Sequence, residues 1–178
     1  MTLILGFAPF ILFAVLSRLS ADLALWAAFA AAFVVTIRDF VESPSLRLLD
    51  VANLAVFGIL ALLRGFVAPD MALVAVRALA ELALFAVLAV SLLRRKPFSQ
   101  EYAHATAQER AAPLFLRVNM AVSGVWTAAF AAMAAMDLLL VFVSTLPLWP
   151  AIAVSVLALG AAITFTLRYP AYATGHRL

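Results

Sequence analysis

The sequence predicts an all-α protein, a polytopic transmembrane helix bundle made from six hydrophobic segments. Hydrophobic residues make up 67% of the 178 residues and charged residues only 12%, whereas soluble domains average roughly 45–50% and 25%. The mean hydropathy is +1.14. The apolar residues fall into blocks that approach the length of about 20 residues that a helix needs to cross a bilayer. A soluble core of this size could not bury so much apolar surface.

The segments belong to one membrane domain that takes up residues 1–178. Their expected bounds are 3–16, 23–37, 48–67, 71–93, 118–143 and 148–167. The only long connection is 94–117, which we expect to lie outside the membrane on its cytoplasmic side. With 19.0 kDa mostly in spanning helices, the chain has no room for a separate soluble domain.

The first segment is short for a crossing. Its apolar residues reach about 22 Å, against a hydrocarbon core of about 30 Å, and Pro9 removes a backbone donor from it. We expect a full crossing, helped by flanking polar side chains that snorkel. The alternative is a re-entrant or interfacial first helix, which gives five crossings. We also expect the segment to be retained, because no basic side chain precedes Arg18, as a signal peptide would require.

The distribution of basic residues predicts the orientation. In this topology most of the 12 lysines and arginines fall on one side, in the connections after segments two and four and in the C-terminal tail. Arg18, Arg64 and Arg77 fall at or near the other side. The positive-inside rule therefore places the C-terminus in the cytoplasm, and with six crossings the N-terminus as well.

Charged residues within the segments are the first candidates for a functional site, because ionisable groups inside a membrane are costly. Arg77 and Glu81 lie one turn apart on segment four, and Asp137 lies at a similar depth on segment five. Arg64 closes segment three at the same side. We expect these four residues to form an intramembrane cluster, which either is a structural ion pair or exchanges protons or ions.

A second group of polar residues lies at the cytoplasmic ends of the segments. Asp50 and Asn53 are one turn apart on segment three, and Asn119 lies at the same end of segment five. They could line a cytoplasmic vestibule. The alternative is that the aspartate caps a helix and the asparagines bond neighbouring helices.

The connection opens with the basic triplet Arg94, Arg95 and Lys96, followed by Phe98 and Tyr102. This pattern is typical of a short helix lying at the membrane surface, with the cations near anionic head groups. Binding of a protein partner and a plain topology-setting loop are the two alternatives.

The chain lacks the residues that several kinds of site require. The chain has no cysteine, its two histidines, His104 and His176, lie outside the segments, and the segments contain no lysine. A transmembrane bis-histidine haem and a retinal Schiff base are therefore not expected. No phosphate loop, zinc-protease motif or nucleophile elbow is present. We expect neither an enzyme nor a bound cofactor or metal. The pI of about 10.0 reflects loop arginines, so nucleic acid is not an expected partner.

Four motifs together resemble one known family. They are FAPFILF at 7–13, VFGILAL at 56–62, RKP at 95–97 and LRVN at 116–119. In order and spacing they are similar to the intracellular septation protein A (YciB-like) family of bacterial inner-membrane proteins. The chain departs from that family at Phe115, where a tryptophan is usual, and at Asp137, where a neutral residue is usual. The resemblance implies an inner-membrane protein of cell-envelope synthesis or division that acts through partners.

Two functional hypotheses follow. The first is a non-enzymatic scaffold or accessory factor whose cytoplasmic connection and helix faces bind other membrane proteins or a second copy of itself. It predicts that changes in 94–117 matter most. The second is a small proton- or ion-coupled transporter or channel subunit. It predicts that neutralising Glu81 or Asp137 abolishes activity without unfolding the protein.

Overall fold

The computed structural model describes residues 2–17, 19–42, 45–103, 106, 108, 110, 112–143, 145–173 and 175. In this part of the chain the secondary structure is entirely helical. The elements are α1 (Thr2–Gly6), α2 (Ala8–Leu16), α3 (Ala21–Glu42), α4 (Leu48–Leu62) with a π-helical turn (Leu63–Val67), α5 (Leu73–Leu93), a 3₁₀ helix (Phe98–Tyr102), α6 (Pro113–Phe142) and α7 (Trp149–Ala173).

Five helices are long and apolar enough to cross a membrane, which confirms the predicted bundle. They are α3, α4 with its π turn, α5, α6 and α7, with 22, 20, 21, 30 and 25 residues. At 1.5 Å per residue these helices extend about 30 Å or more. Consecutive long helices run in opposite directions, so the bundle has two ends. We call the end that carries residues 94–112 the connection end, and the end that carries the turns near 70 and 147 the far end.

The first segment differs from the continuous helix predicted over 3–16. It is broken at Phe7 into α1 and α2, and it is not among the five long helices. Pro9 has no N–H for the carbonyl of Leu5, which ends α1, and in the first turn of α2 that missing donor costs nothing.

The segment nevertheless runs the length of the bundle. Gly6 lies against Leu49 and Tyr102 at the connection end, Phe13 contacts Phe57 further along, and α3 then starts at the far end. A broken helix is tolerated at this depth because Phe7, Phe10 and Phe13 bury one side of it against neighbouring helices, although Leu5 and Val15 are exposed.

Three of the predicted boundaries shift by more than two residues. Helix α3 continues to Glu42 instead of ending at 37, and in its last turns Asp39 pairs with Arg47 and Arg38 lies 3.8 Å from Glu42 one turn on. Helix α6 begins at Pro113 instead of 118, since proline suits the first position of a helix. Helix α7 continues to Ala173. The connection is therefore 94–112 and not 94–117.

The core of the bundle is aromatic and centres on the first segment. The ring of Phe7 stacks on Trp126 with centroids 3.7 Å apart and an interplanar angle of 6°. Phe130 and Phe98 pack around the same ring, each with its centroid 5.8 Å away. The indole N–H of Trp126 donates to Thr166 Oγ1 at 2.9 Å, which ties α6 to α7. Such large buried rings supply the contact area that helix association in lipid requires.

Candidate functional site

The described residues bury polar side chains at two levels of the bundle. The first set, the acidic cluster, consists of Arg77, Glu81 and Asp137 in the far half of the bundle. The second set, the polar network, consists of Asp39, Arg47, Asp50 and Tyr102 at the connection end.

The acidic cluster lies between α5 and α6, the helix pair with the most extensive packing among the described elements. Arg77 Nε lies 2.9 Å from Asp137 Oδ2. Glu81 follows Arg77 by one turn on the same face of α5. The carboxylates are almost fully buried, with Asp137 1% and Glu81 2% exposed. The predicted meeting of these residues is therefore present in the structure.

The charges of the acidic cluster do not balance. Asp137 and Arg77 are the charged groups that act on Glu81, so two carboxylates share one guanidinium. Among the described residues, Glu81 Oε2 and both oxygens of Asp137 accept no well-directed hydrogen bond, and the contact of Asp137 with Arg77 is one of charge. With both carboxylates ionised, the cluster would carry one excess negative charge in the bundle interior. A bound proton or a small cation would neutralise it.

The fourth predicted member, Arg64, lies elsewhere. Its Nε donates to Asp22 Oδ1 at 2.7 Å, and its guanidinium also reaches the carbonyl of Met71. Both partners are at the far end, where Asp22 is largely exposed. A long side chain at the rim of the bundle can pair there without the cost of full burial. Arg64 therefore ties α3 to the turn before α5 and does not belong to the acidic cluster.

The polar network fixes the 3₁₀ helix to the start of α4. Tyr102 Oη donates to Asp50 Oδ1 at 2.8 Å. The guanidinium of Arg47 lies 4.9 Å from the centre of the Tyr102 ring and pairs with Asp39. Asp39 also accepts from Arg38 at 2.5 Å. A hydrogen bond, a cation–π contact and an ion pair thus join the end of α3, the start of α4 and the 3₁₀ helix.

Tyr102 was predicted to contact lipid or a partner at the surface, and that prediction is wrong. The residue is buried, because its hydroxyl has Asp50 as an acceptor and its ring packs against the first segment. Burial raises the pKa of Tyr102 above its ordinary value, and the Asp50 carboxylate raises it further. The hydroxyl consequently stays protonated and acts as the donor.

Two serines and Asn119 anchor the other side of the 3₁₀ helix. Ser99 Oγ donates to Asn119 Oδ1 at 2.8 Å, and Ser123 Oγ lies 3.0 Å from Ser99 Oγ. The Asn119 amide donates to the carbonyl of Phe115. With Phe98 fully buried beside them, these contacts make the 3₁₀ helix a plug in the connection end of the bundle.

The predicted vestibule is not formed by Asp50, Asn53 and Asn119. Their exposed fractions are 3%, 0% and 7%. Asn53 Nδ2 donates to the carbonyl of Gly6, the last residue of α1, at 2.9 Å. The three side chains instead satisfy backbone and side-chain groups that burial would leave without partners.

The basic triplet is exposed, as the prediction of a surface role requires. Helix α5 ends in a Schellman motif: Lys96 N–H donates to the carbonyl of Ser91 at 3.0 Å, and Arg95 N–H to that of Leu92 at 2.9 Å. Arg95 occupies the position usually held by glycine, with a φ of 53°. The turn separates the side chain of Arg95 from those of Arg94 and Lys96.

The most informative residue that the sequence analysis did not select is Asp39. It lies seven residues after Ala32, on the face of α3 that also carries Ala24 and Ala28, and all four residues are buried. The sequence feature that could have identified Asp39 is an acidic residue on a helix face of small side chains. Arg18, His104 and His176 lie outside the described residues.

Compared with protein-family models, with curated proteins and with solved structures, the chain matches none of them. Its function is therefore inferred from the acidic cluster and from the surfaces of the bundle. In addition, no group of three or more histidine, cysteine or acidic residues suited to a metal ion occurs among the described residues.

Proposed function

We propose that the protein is a non-enzymatic, proton-responsive membrane protein of the class of small proton- or ion-coupled transporters and channel subunits. The observation that carries the proposal is the acidic cluster, in which two buried carboxylates share one guanidinium. A group that must gain a proton to relieve an excess buried charge is suited to coupling proton binding to helix movement.

The geometry divides the roles within the cluster. Asp137 forms the ion pair with Arg77, whereas Glu81 forms no ion pair among the described residues. Glu81 is therefore the group proposed to exchange the proton. It lies about 12 Å along α5 from Leu73, within reach of the far end by a short path. Its charge acts on the packing between α5 and α6.

Infrared difference spectroscopy and proton flux test this proposal. The protein in liposomes is stepped between neutral and acidic pH while the carbonyl stretch of protonated carboxyls is followed, and a pH-sensitive dye inside the vesicles reports flux. We expect a band and a flux that Glu81→Gln removes and that Asp70→Asn, at an exposed turn carboxylate, leaves intact. An unchanged band and flux in Glu81→Gln would refute the proposal.

We further propose that the connection end faces the cytoplasm and that the membrane is a bacterial inner membrane. Basic residues concentrate at the connection end, which supports the orientation, and the resemblance to the septation protein A family supports the location. The chain has no cysteine, so single cysteines can be labelled cleanly. In spheroplasts, a membrane-impermeant maleimide should label Asp70→Cys and not Gln108→Cys. The reverse pattern would contradict this orientation.

A second candidate function, an accessory or scaffold protein that binds another helix in the bilayer, is favoured by the outer face of α7. This helix packs mainly on α6, and its outer face forms an apolar groove of about 690 Å³ along Val156, Gly160 and Thr164. Gly160 has nothing within 4 Å of the place that a Cβ would take. Close approach of a partner helix needs such room.

Disulfide crosslinking in native membranes tests this second candidate with a second copy as the partner. Gly160→Cys should form dimers on mild oxidation. Ile59→Cys, on the exposed face of α4, is the matched control and should stay monomeric. Equal crosslinking at both positions would indicate random collision and would remove the support.

A further inference from the structure

A cleft opens at the connection end between the start of α4 and the last turns of α5. Its volume is about 430 Å³, and its lining includes Leu48, Val87, Val90, Arg94, Lys96 and Glu101. The lower part is apolar and continues along the outer side of α5, where Val90 is exposed. The upper part is charged. The cleft thus joins the lipid-facing surface of a spanning helix to a polar rim.

Positive charge is in excess at the rim, where Arg94 and Lys96 face one carboxylate, that of Glu101. Glu101 accepts a hydrogen bond from the N–H of Leu48 at 2.5 Å, so its carboxylate already serves the first residue of α4. Arg94 and Lys96 form no ion pair among the described residues, and both are exposed. Two cations at the end of a spanning helix lie at the level where phosphates of the bilayer surface are found.

The Schellman motif at the end of α5 gives this pair its geometry. The turn through Arg95 places Arg94 and Lys96 on the wall of the same cleft, while Arg95 does not line it. A non-glycine residue at positive φ costs stability. The turn therefore fixes the backbone positions from which Arg94 and Lys96 reach the cleft.

We propose that this cleft binds a membrane glycerophospholipid, with the phosphodiester between Arg94 and Lys96 and one acyl chain along Val87 and Val90. Charge complementarity selects a phosphate, and the apolar wall selects a chain attached to it. Ala86, on the same wall, lies about 12 Å along the helix from Arg94, which leaves space for the upper part of an acyl chain. The site is independent of the acidic cluster.

Native mass spectrometry of the whole protein tests the site. The protein is extracted in mild detergent, stripped of lipid and titrated with phosphatidylglycerol. Arg94→Ala and Lys96→Ala should each weaken binding of the first lipid about fivefold, the loss that corresponds to about 1 kcal/mol per cation near the surface. Arg117→Ala removes an exposed arginine at the same end that does not line the cleft, and it should bind as the parent does.

A variant that fills the apolar wall separates a built lipid site from simple charge attraction. Ala86 is exposed, so Ala86→Trp should fold normally and keep both cations. We expect it to lose at least as much affinity as Arg94→Ala. Unchanged binding in Ala86→Trp, or an equal loss in Arg117→Ala, would overturn the proposal.

Two further titrations distinguish a lipid phosphodiester from a free phosphate ion. Inorganic phosphate alone should not displace the lipid, since it gains nothing from the apolar wall. Phosphatidylglycerol and phosphatidylethanolamine should both bind, because they share the phosphodiester and the acyl chains. Displacement by inorganic phosphate would identify a free-anion site and overturn the lipid assignment.

Discussion

Arg77 is the residue on which the acidic cluster depends. Glu81→Gln leaves one carboxylate and one guanidinium, whereas Arg77→Met leaves two carboxylates without a cation among the described residues. We expect Arg77→Met to lower the free energy of unfolding by about 3 kcal/mol, and Glu81→Gln to change it by less than about 1 kcal/mol. Unfolding in mild detergent at neutral pH measures both.

The control for this prediction restores the balance of charge. Adding Glu81→Gln and Asp137→Asn to Arg77→Met should recover most of the lost stability, because no ion then remains in the interior. A triple variant as unstable as Arg77→Met would show that the guanidinium acts through packing and not through charge.

Glu101 contributes to the free energy of unfolding by an amount that depends on pH. Burial raises the pKa of Glu101 above its ordinary value, against the hydrogen bond from Leu48 and the charge of Arg47, which lower it. A carboxyl with a raised pKa in the folded state binds its proton more tightly there. Its contribution is fully present below the ordinary pKa of about 4.3 and is lost as pH rises through the folded pKa.

The matched variant is Glu101→Gln, whose amide oxygen can still accept from Leu48. On acidification from pH 7 to 5, the parent should gain stability relative to this variant, although solvent screens a partly exposed group and keeps the difference small. Thermal unfolding at the two pH values measures it. A parent that loses stability relative to the variant on acidification would contradict the sign.

At the residue scale, the sequence predicted how far along its helix each charged residue lies. It did not fully predict which neighbouring helix the side chain faces. Depth was enough to bring Arg77 and Asp137 together. It also placed Arg64 in the same cluster, although the nearer Asp22 binds it. Asp39 was missed because its partner Arg47 approaches across a chain reversal that periodicity does not describe.

A substitution at the C-terminal end of α5 can stabilise the protein. Arg95→Gly removes a side chain from positive φ and keeps the Schellman hydrogen bonds. We expect it to raise the free energy of unfolding by about 1 kcal/mol. Arg95→Ala removes the same charge but keeps a Cβ, so it should give no comparable gain. Equal gains in both variants would attribute the effect to charge repulsion.

The contact of α1 with the 3₁₀ helix is tight enough to test by adding one methyl group. A Cβ on Gly6 would lie 3.1 Å from Leu49 Cδ2 and 3.1 Å from Tyr102 Cε1. Both neighbours are buried, and the ring is held by its bond to Asp50. We expect Gly6→Ala to lower the free energy of unfolding by about 1 kcal/mol.

Gly124→Ala is the control for Gly6→Ala. The position has nothing within 4 Å of an added Cβ and lies inside α6. It should gain about 0.4–1 kcal/mol from the lower entropy of the unfolded chain. Thermal unfolding of the two variants beside the parent makes the comparison, and a stabilised Gly6→Ala would show that the Tyr102 ring can give way.

At the element scale, hydropathy predicted the five long helices because lipid contact demands long apolar runs. It described the first segment less well, since a helix sheltered by protein need not satisfy that demand. The 3₁₀ helix over Phe98–Tyr102 was predicted at the surface because its sequence mixes polar and apolar residues. It is buried because Asp50, Asn119 and Ser123 match its hydroxyl groups.

The first segment determines whether the whole bundle packs around a single core. Deletion of residues 2–16 would remove the rings that fill the space beside Phe57, Trp126 and Phe130. We expect the truncated chain to insert but to lose its sharp thermal transition and its monodisperse profile in size-exclusion chromatography. A separate peptide covering residues 1–20 should restore both. A truncated chain as stable as the parent would assign the core to the long helices alone.

The stacking of Phe7 on Trp126 also orders events during synthesis. The first segment leaves the ribosome before the long helices, but its main aromatic partners belong to α6, which follows α3, α4 and α5. At about 5–20 residues per second, Phe7 waits on the order of ten seconds for Trp126. A short, broken helix must be kept in the membrane during that interval, and the translocation machinery or lipid must shelter its rings until α6 arrives.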